Sequence, residues 1–392
     1  MSVDPRSLVP SFPRSQDLSG LRLALTHDWL ITLGGADRVL LALHDVFPQA
    51  PVYTALYDPR GLPDAFAAVT VRASWLQRIP GALARHRWLL PLMPSAFRSF
   101  DLREYDVVLS SSHACAHGVR VRPGAVHICY CHTPMRYAWD LQSLYEAALP
   151  SMARPVVRLA LARLREWDAR AAQRVDYYLA NSHYIAGRIG AHYGRDATVI
   201  YPPVDTNYFT PEDRGGREDY YLVVSRLVPY KRVDVAVRAF TNLGLPLVVV
   251  GGGPERRRLR ALGGPTVTFA GHVDDETLRE YYRGCRALVF PGEEDFGIVP
   301  VEAQACGRPV IALGRGGVLE TVLPDRTGVL FSDQTADALA AAVRRFDPSH
   351  FDPRVIRAHA EQFSRARFER TVAAFVAHVA PRRSEHREPA VS

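Results

Sequence analysis

The sequence predicts an α/β protein built from two doubly wound parallel-sheet domains. Three observations carry that prediction. Short apolar runs of strand length alternate with stretches of helical character in both halves of the chain, as a parallel sheet with crossover helices requires. Tandem prolines, Pro202 and Pro203, separate the halves, and such a pair suits a connection rather than an element interior. At 392 residues the chain is too long for one small core and fits two domains.

In the first half, residues 21–26 read as a strand, followed by a glycine-containing loop and a helix from about Asp37 to Val46. Residues 107–110 and 126–130 are further strands, and a long helical stretch runs over 154–174. Residues 176–180 form the next strand, closed by Asn181 and Ser182 as a helix cap. The second half gives strands at 221–225, 246–250, 267–270, 287–290 and 310–313, with helical stretches between them. Two such domains facing each other would border a cleft with the carboxyl ends of their strands, where open α/β sheets bind ligands. The expected domains are 21–203 and 204–352, with a helical segment 353–380 returning to the first. Residues 1–20 and 381–392, rich in Pro, Ser and Arg, read as mobile ends.

An apolar content of 47% with 23% charged residues is that of a soluble globular protein. No apolar run approaches the roughly 18 residues that cross a bilayer, and residues 1–20 lack the apolar stretch of a signal peptide. The five cysteines have no zinc-like spacing. Cys129 and Cys131 lie in an apolar run and read as buried small hydrophobes of a reduced, cytoplasmic protein. A net charge of +7 suits a partner bearing phosphates. Residues 65–100 contain no acid and interleave Arg72, Arg78, Arg85, Arg87 and Arg98 with Trp75, Trp88, Leu92 and other apolar residues. That mixture fits a segment lying on the inner membrane surface, and equally a core segment with a solvated arginine face. No nucleic-acid-binding motif accompanies the charge.

Of the 48 lysines and arginines, only Lys231 is a lysine. Where a chain so strongly prefers arginine keeps one compact ammonium, a tight phosphate site is a natural reason. Lys231 follows Ser225-Arg226-Leu227-Val228-Pro229 at the end of an apolar run. The densest signal is residues 290–322. There a strand gives way to a loop carrying Glu294, Phe296 and Gly297, then to a helix that starts near Pro300 and carries Glu302. Amides at such a helix start make an anion site, and the two carboxylates can accept hydrogen bonds from sugar hydroxyls. Taken alone, each feature has a plainer reading: Gly34-Gly35 as a turn, Glu302 as a surface charge, Arg226 as the partner of Asp234, His132 as a satisfied core residue. His113 and His117 read as structural.

Together, the Glu294-to-Glu302 spacing, the Ser225–Lys231 segment and the Gly-Gly-Gly-Pro at 251–254 resemble the retaining nucleotide-sugar glycosyltransferases of family 4. The resemblance implies the GT-B fold, with two facing Rossmann-like domains and a C-terminal helix that crosses back. It also implies roles. Arg226 and Lys231 would hold the diphosphate, Glu302 the ribose, and Glu294 the transferred sugar, helped by amides around Phe296, Gly297 and Ile298. Gly34 and Gly35 match a Gly-Gly-Ala-Glu loop that approaches phosphates or acceptor. Asp37 departs from that glutamate and would serve the acceptor side with Arg136, or simply cap its helix. His132 would face the reacting sugar. Residues 131–140 and 297–302 are similar in wording to bacterial O-antigen and exopolysaccharide mannosyltransferases. That similarity implies GDP-mannose as donor and a lipid-linked saccharide as acceptor, at the inner face of the plasma membrane. No metal or cofactor is expected, since no Asp-x-Asp occurs. Another nucleotide sugar (UDP- or dTDP-linked), a phosphorylase or hydrolase, and a basic membrane-surface binder are the remaining readings.

Overall fold

The computed structural model describes residues 20–140, 152, 154–212 and 219–381. Nearly all of the expected N-terminal leader and C-terminal tail lies outside the described residues. The chain divides into two compact units. The first comprises residues up to Asn181, residues 185–200 and residues from Glu369 onward; the second comprises Ser182–Tyr184 and Tyr201–Phe368.

The first unit is organised by a seven-stranded sheet. Its strands are β1 (Leu23–His27), β2 (Val52–Thr54), β3 (Val71–Ala73), β4 (Val107–Ser112), β5 (Val126–Cys131), β6 (Tyr177–Ala180) and β7 (Ala197–Val199). Their order is β3-β2-β1-β4-β5-β6-β7, and every pairing is parallel. Winding outward in both directions from β1 leaves a switch point between β1 and β4, the place where such sheets bind ligands. All five residues of β1 and all six of β4 are buried, which is why these strands read as unbroken runs instead of alternating ones.

The second unit repeats the plan with β8 (Tyr221–Val224), β9 (Leu247–Val250), β10 (Val267–Gly271), β11 (Leu288–Phe290), β12 (Val310–Leu313) and β13 (Gly328–Phe331). Their order, β10-β9-β8-β11-β12-β13, puts its switch point between β8 and β11. Its core packs Tyr221, Val223, Phe240, Val249, Val289 and Ile311 under helices Val233–Leu243 and Ala336–Arg345.

Three findings amend the sequence reading. The 353–379 segment is two helices, Pro353–Ala360 and Arg365–Val379, joined by the turn Glu361–Phe363. Its first helix buries Ile356 and Ala360 within the second unit, so only residues from Glu369 onward group with the first. Asn181 and Ser182, expected only as a helix cap, also make long-range contacts. The side-chain amide of Asn181 donates to the His132 carbonyl and the Ser182 hydroxyl to the Asp295 carbonyl, while the Glu320 carboxylate accepts from the His183 and Tyr184 amides. Residues 65–100 hold strand β3 and several short turns. Leu76, Leu90, Met93 and Phe97 are core, whereas Trp75, Trp88 and Leu92 are exposed.

All five cysteines are buried thiols. His127 is fully buried with Nε2 2.7 Å from the Ser110 hydroxyl, and burial lowers its pKa to about 3. The folded state thus disfavours the imidazolium. Stability is full above the ordinary value of about 6.5 and falls as pH drops from there towards 3, by roughly 2 kcal/mol at pH 5. Denaturant unfolding followed between pH 7 and pH 5 should show this slope, and His127→Gln should flatten it.

Candidate active site

In the second unit, the chain leaves β8 through Ser225 and Arg226. Two glycines of the neighbouring loop shape this turn. Gly251 and Gly253 have φ of +125° and +153°, and an added Cβ would lie 2.0 Å from the Ser225 carbonyl oxygen and 2.4 Å from that of Leu227. Only glycine allows so close an approach. The Leu227 amide donates to the Gly252 carbonyl at 2.8 Å, locking the two loops together. Arg226 is exposed, with Nη2 donating to the Tyr230 hydroxyl at 2.7 Å. It does not pair with Asp234, which accepts from Arg232 Nε at 3.2 Å.

Lys231 ends the turn Pro229–Lys231 and forms an ion pair with Glu294. The Lys231 backbone is close-packed on Gly292, where a Cβ would sit 2.9 Å from the Lys231 carbonyl oxygen. Glu294 is fixed from its other side by Gly316 and Gly317. The Gly317 amide donates to the Glu294 carbonyl at 2.8 Å, and a Cβ at Gly317 would fall 2.3 Å from the Asp295 oxygen. The loops after β8, β11 and β12 therefore place Arg226, Lys231 and Glu294 together by close backbone approach. A Gly317→Ala variant should displace Glu294, and a shift near 1 Å costs about 10²-fold in rate. Steady-state kinetics with an unchanged circular dichroism spectrum would check this.

Gly297, at φ +92°, turns the chain into helix Ile298–Ala305, which starts two residues before Pro300. The Phe296 ring is not free for a ligand. It is buried against Tyr201 and Phe363, at ring-centroid distances of 5.6 and 5.5 Å, so only its backbone can serve. Glu302 is also largely buried, and its Oε2 accepts from the Tyr282 hydroxyl at 2.7 Å. Burial, then the Glu302 carboxylate, pushes the Tyr282 pKa well above its ordinary value and keeps this proton in place.

In the first unit, polar side chains collect where β1, β4 and β5 end. The imidazoles of His27, His113 and His132 lie 6.2–6.5 Å apart, centroid to centroid. His132 Nε2 meets the Ser111 hydroxyl at 2.8 Å. Burial first, then the neighbouring His113 and His27, hold its pKa well below the ordinary histidine value. Gly34 and Gly35 are exposed at the start of helix Gly35–Val46. Asp37, expected on the acceptor side or as a cap, is buried with both oxygens engaged. Oδ2 accepts from the Gly34 amide at 2.7 Å and Oδ1 lies 3.2 Å from His27 Nε2. Arg136 opens the short helix Arg136–Trp139. Of the two histidines read as structural, His113 lies 3.2 Å from Asp28, and His117 is buried with Nδ1 3.2 Å from the Ser112 hydroxyl.

Sequence reasoning missed Asp28, His27, Ser111 and Tyr282. Asp28 is fully buried, and its carboxylate accepts from the amides of His113, Ala114, Cys115 and Ala116 at 2.5–2.9 Å. Burial alone would raise its pKa; His113, the amide bonds and His27 outweigh that and lower it. The signal available was His27-Asp28 at the end of an apolar strand. Among the described residues, no group of three His, Cys, Asp or Glu side chains is arranged to hold a metal ion.

The family model for Glycosyltransferase Family 4 matches residues 33–208, and that for Glycosyl transferases group 1 matches 205–349. Together the two matches run without a gap from residue 33 to residue 349, starting after β1. The chain belongs to glycosyltransferase family 4. Among curated members, it is 32% identical over 219 residues to the GDP-mannose-dependent alpha-(1-6)-phosphatidylinositol monomannoside mannosyltransferase of Mycobacterium tuberculosis strain CDC 1551, covering 48% of this chain and 55% of that protein. It is 28% identical over 316 residues to the D-inositol 3-phosphate glycosyltransferase of Mycobacterium avium strain 104, covering 74% and 64%. The match thus spans about half the length of the first of these relatives and somewhat under two thirds of the second. Solved structures of similar fold include Anabaena HepE in complex with UDP and glucose, with TM-score 0.69, 18% identity and coverage of 91% and 99%. Sucrose-phosphate synthase from Thermosynechococcus elongatus gives TM-score 0.65 at 23% identity, covering 91% and 96%. The fold of this family 4 chain is accordingly GT-B, with two Rossmann-like parallel-sheet domains.

Proposed function

We propose that the chain moves a hexose from a nucleoside diphosphate sugar to an acceptor hydroxyl, with retention of the anomeric configuration. The observation that carries this reading is the grouping of Arg226, Lys231 and Glu294 at the carboxyl ends of β8 and β11. The central chemical task is to stabilise negative charge developing on the departing diphosphate. Arg226 and Lys231 supply fixed positive charge for it, and preorganised charge of this kind is the largest single catalytic term in many enzymes. Lys231 exchanges its Glu294 partner for phosphate oxygen, and the released Glu294 carboxylate accepts from hydroxyls of the transferred sugar. Glu302, held by the Tyr282 hydroxyl, accepts from the ribose hydroxyls in this reading. With Glu294 engaged on hydroxyls, attack from the same face through an oxocarbenium-like state fits better than a covalent glycosyl intermediate.

GDP-mannose is the proposed donor, supported by the mannosyltransferase-like wording of residues 131–140 and 297–302 and by the relative named GDP-mannose-dependent. A lipid-linked saccharide in cell-surface polysaccharide assembly is the proposed acceptor, reached at the inner membrane surface. The exposed Trp75, Trp88 and Leu92 in an acid-free, arginine-rich segment suit such an interface. Among the described residues, no helix is long and apolar enough to cross a membrane.

The test is release of GDP from GDP-mannose in the presence of a bacterial lipid extract, with the product linkage read by NMR. An α-mannosyl product supports the proposal. Turnover of UDP-glucose alone would remove mannose, and an inverted linkage would remove the same-face mechanism. No turnover with GDP-, UDP- or dTDP-sugars would remove the transferase reading.

A further inference from the structure

A continuous line of hydrogen-bonding side chains crosses the ends of β1, β4 and β5 within the first unit. Asp37 Oδ1 lies 3.2 Å from His27 Nε2, and His27 Nδ1 lies 3.0 Å from the Ser111 hydroxyl. That hydroxyl lies 2.8 Å from His132 Nε2. Strand register builds the line: His27 is paired with Ser111 across β1 and β4, and Ser111 with Tyr130 across β4 and β5, two residues before His132. His27 and Ser111 are fully buried.

The chemistry of these groups gives the line a direction. A carboxylate only accepts, so His27 donates from Nε2. A neutral imidazole protonated there has a bare Nδ1, which accepts the Ser111 hydroxyl proton. The Ser111 oxygen is then left to accept from His132, whose ring proton must sit on Nε2. A second proton on His27 would reverse every donor beyond Asp37 and move the His132 proton to Nδ1. The groups facing this pair are Asp28 beside His27, Asp37 on helix Gly35–Val46, His113 after β4, and Tyr130 on β5. Asp28 is already committed to four amides and His113, which leaves Asp37 as the carboxylate that sets the direction.

We propose that Asp37, His27 and Ser111 are positioning residues that fix His132 as its Nε2–H tautomer, so that it meets substrate through Nδ1 as a hydrogen-bond acceptor. The part concerning substrate rests on the transferase reading; the tautomer does not. An accepting nitrogen would take a hydrogen bond from a sugar hydroxyl, which the opposite tautomer could not do.

The experiment is long-range 1H–15N correlation on histidine-labelled full-length protein at pH 7.5, with His132 assigned by its absence from His132→Gln. The expected result is a protonated Nε2 and a bare Nδ1. The reverse pattern in the wild-type protein would overturn the proposal without any variant. Asp37→Asn can donate to His27 Nε2, so the His132 proton should move to Nδ1 and kcat fall about tenfold, the worth of one hydrogen bond. KM for the donor should stay unchanged, and Asp37→Glu should restore both tautomer and rate. If Asp37→Asn fails to fold, Ser111→Ala cuts the line and should give a mixture of tautomers; an unchanged single tautomer there overturns the idea. The expected tautomers without any glycosyl transfer would support the line and remove the transferase reading. Full transfer with the reversed tautomer would do the opposite.

Discussion

Replacing Lys231 with alanine should lower kcat by about 10²–10³, the usual loss when one preorganised charge is removed from a developing anion. The loss is compounded by what remains. Glu294 forms its ion pair with Lys231, and without the ammonium its carboxylate would confront the donor phosphates unneutralised. Lys231→Arg should rescue poorly. The Lys231 backbone is pressed against Gly292, and a planar guanidinium is a different shape of donor from a compact ammonium. Stopped-time assays of nucleotide release would show this, and wild-type turnover in Lys231→Ala would remove Lys231 from the phosphate site.

The second large effect concerns stability. Asp28→Ala should destabilise the first unit by about 3–5 kcal/mol, the range for breaking a buried charge interaction. Four amides of the loop after β4 and the His113 ring would lose their common acceptor. Asp28→Asn keeps one accepting oxygen and should lose less. All five tryptophans (Trp29, Trp75, Trp88, Trp139 and Trp167) lie in the first unit, so their fluorescence reports its unfolding separately. A denaturation midpoint unmoved by Asp28→Ala would show that the loop is held by something else.

Much of the fold was legible because the central strands are buried on both faces and therefore appear as apolar runs, as at 221–224 and 310–313. Strands β2, β3 and β7, of three residues each, and the four-residue β13 carry too few side chains to set a period. β3 was further disguised by lying in the arginine-rich segment. The second unit's site was legible for a different reason. Its glycines are required by backbone contact, and its charges fall in two local groups, Arg226 with Lys231 and Glu294 with Glu302, so each half of the motif survives as a string. The first unit's polar line was not legible, because His27 and Ser111 are 84 positions apart and only strand register joins them. Asp37 takes the capping role that was its alternative reading, accepting from the Gly34 amide, while its second contact, to His27, is decided by packing and was not legible.

The central claim is a diphosphate site built from Arg226, Lys231 and the turns after β8, β11 and β12. Calorimetry of GDP, UDP, dTDP and ADP binding to the wild-type protein and to Lys231→Ala tests it most directly. The account predicts that GDP binds most tightly and that the variant binds it at least tenfold more weakly. Equal affinity of the two proteins for every nucleotide, or no binding of any of the four, would contradict it.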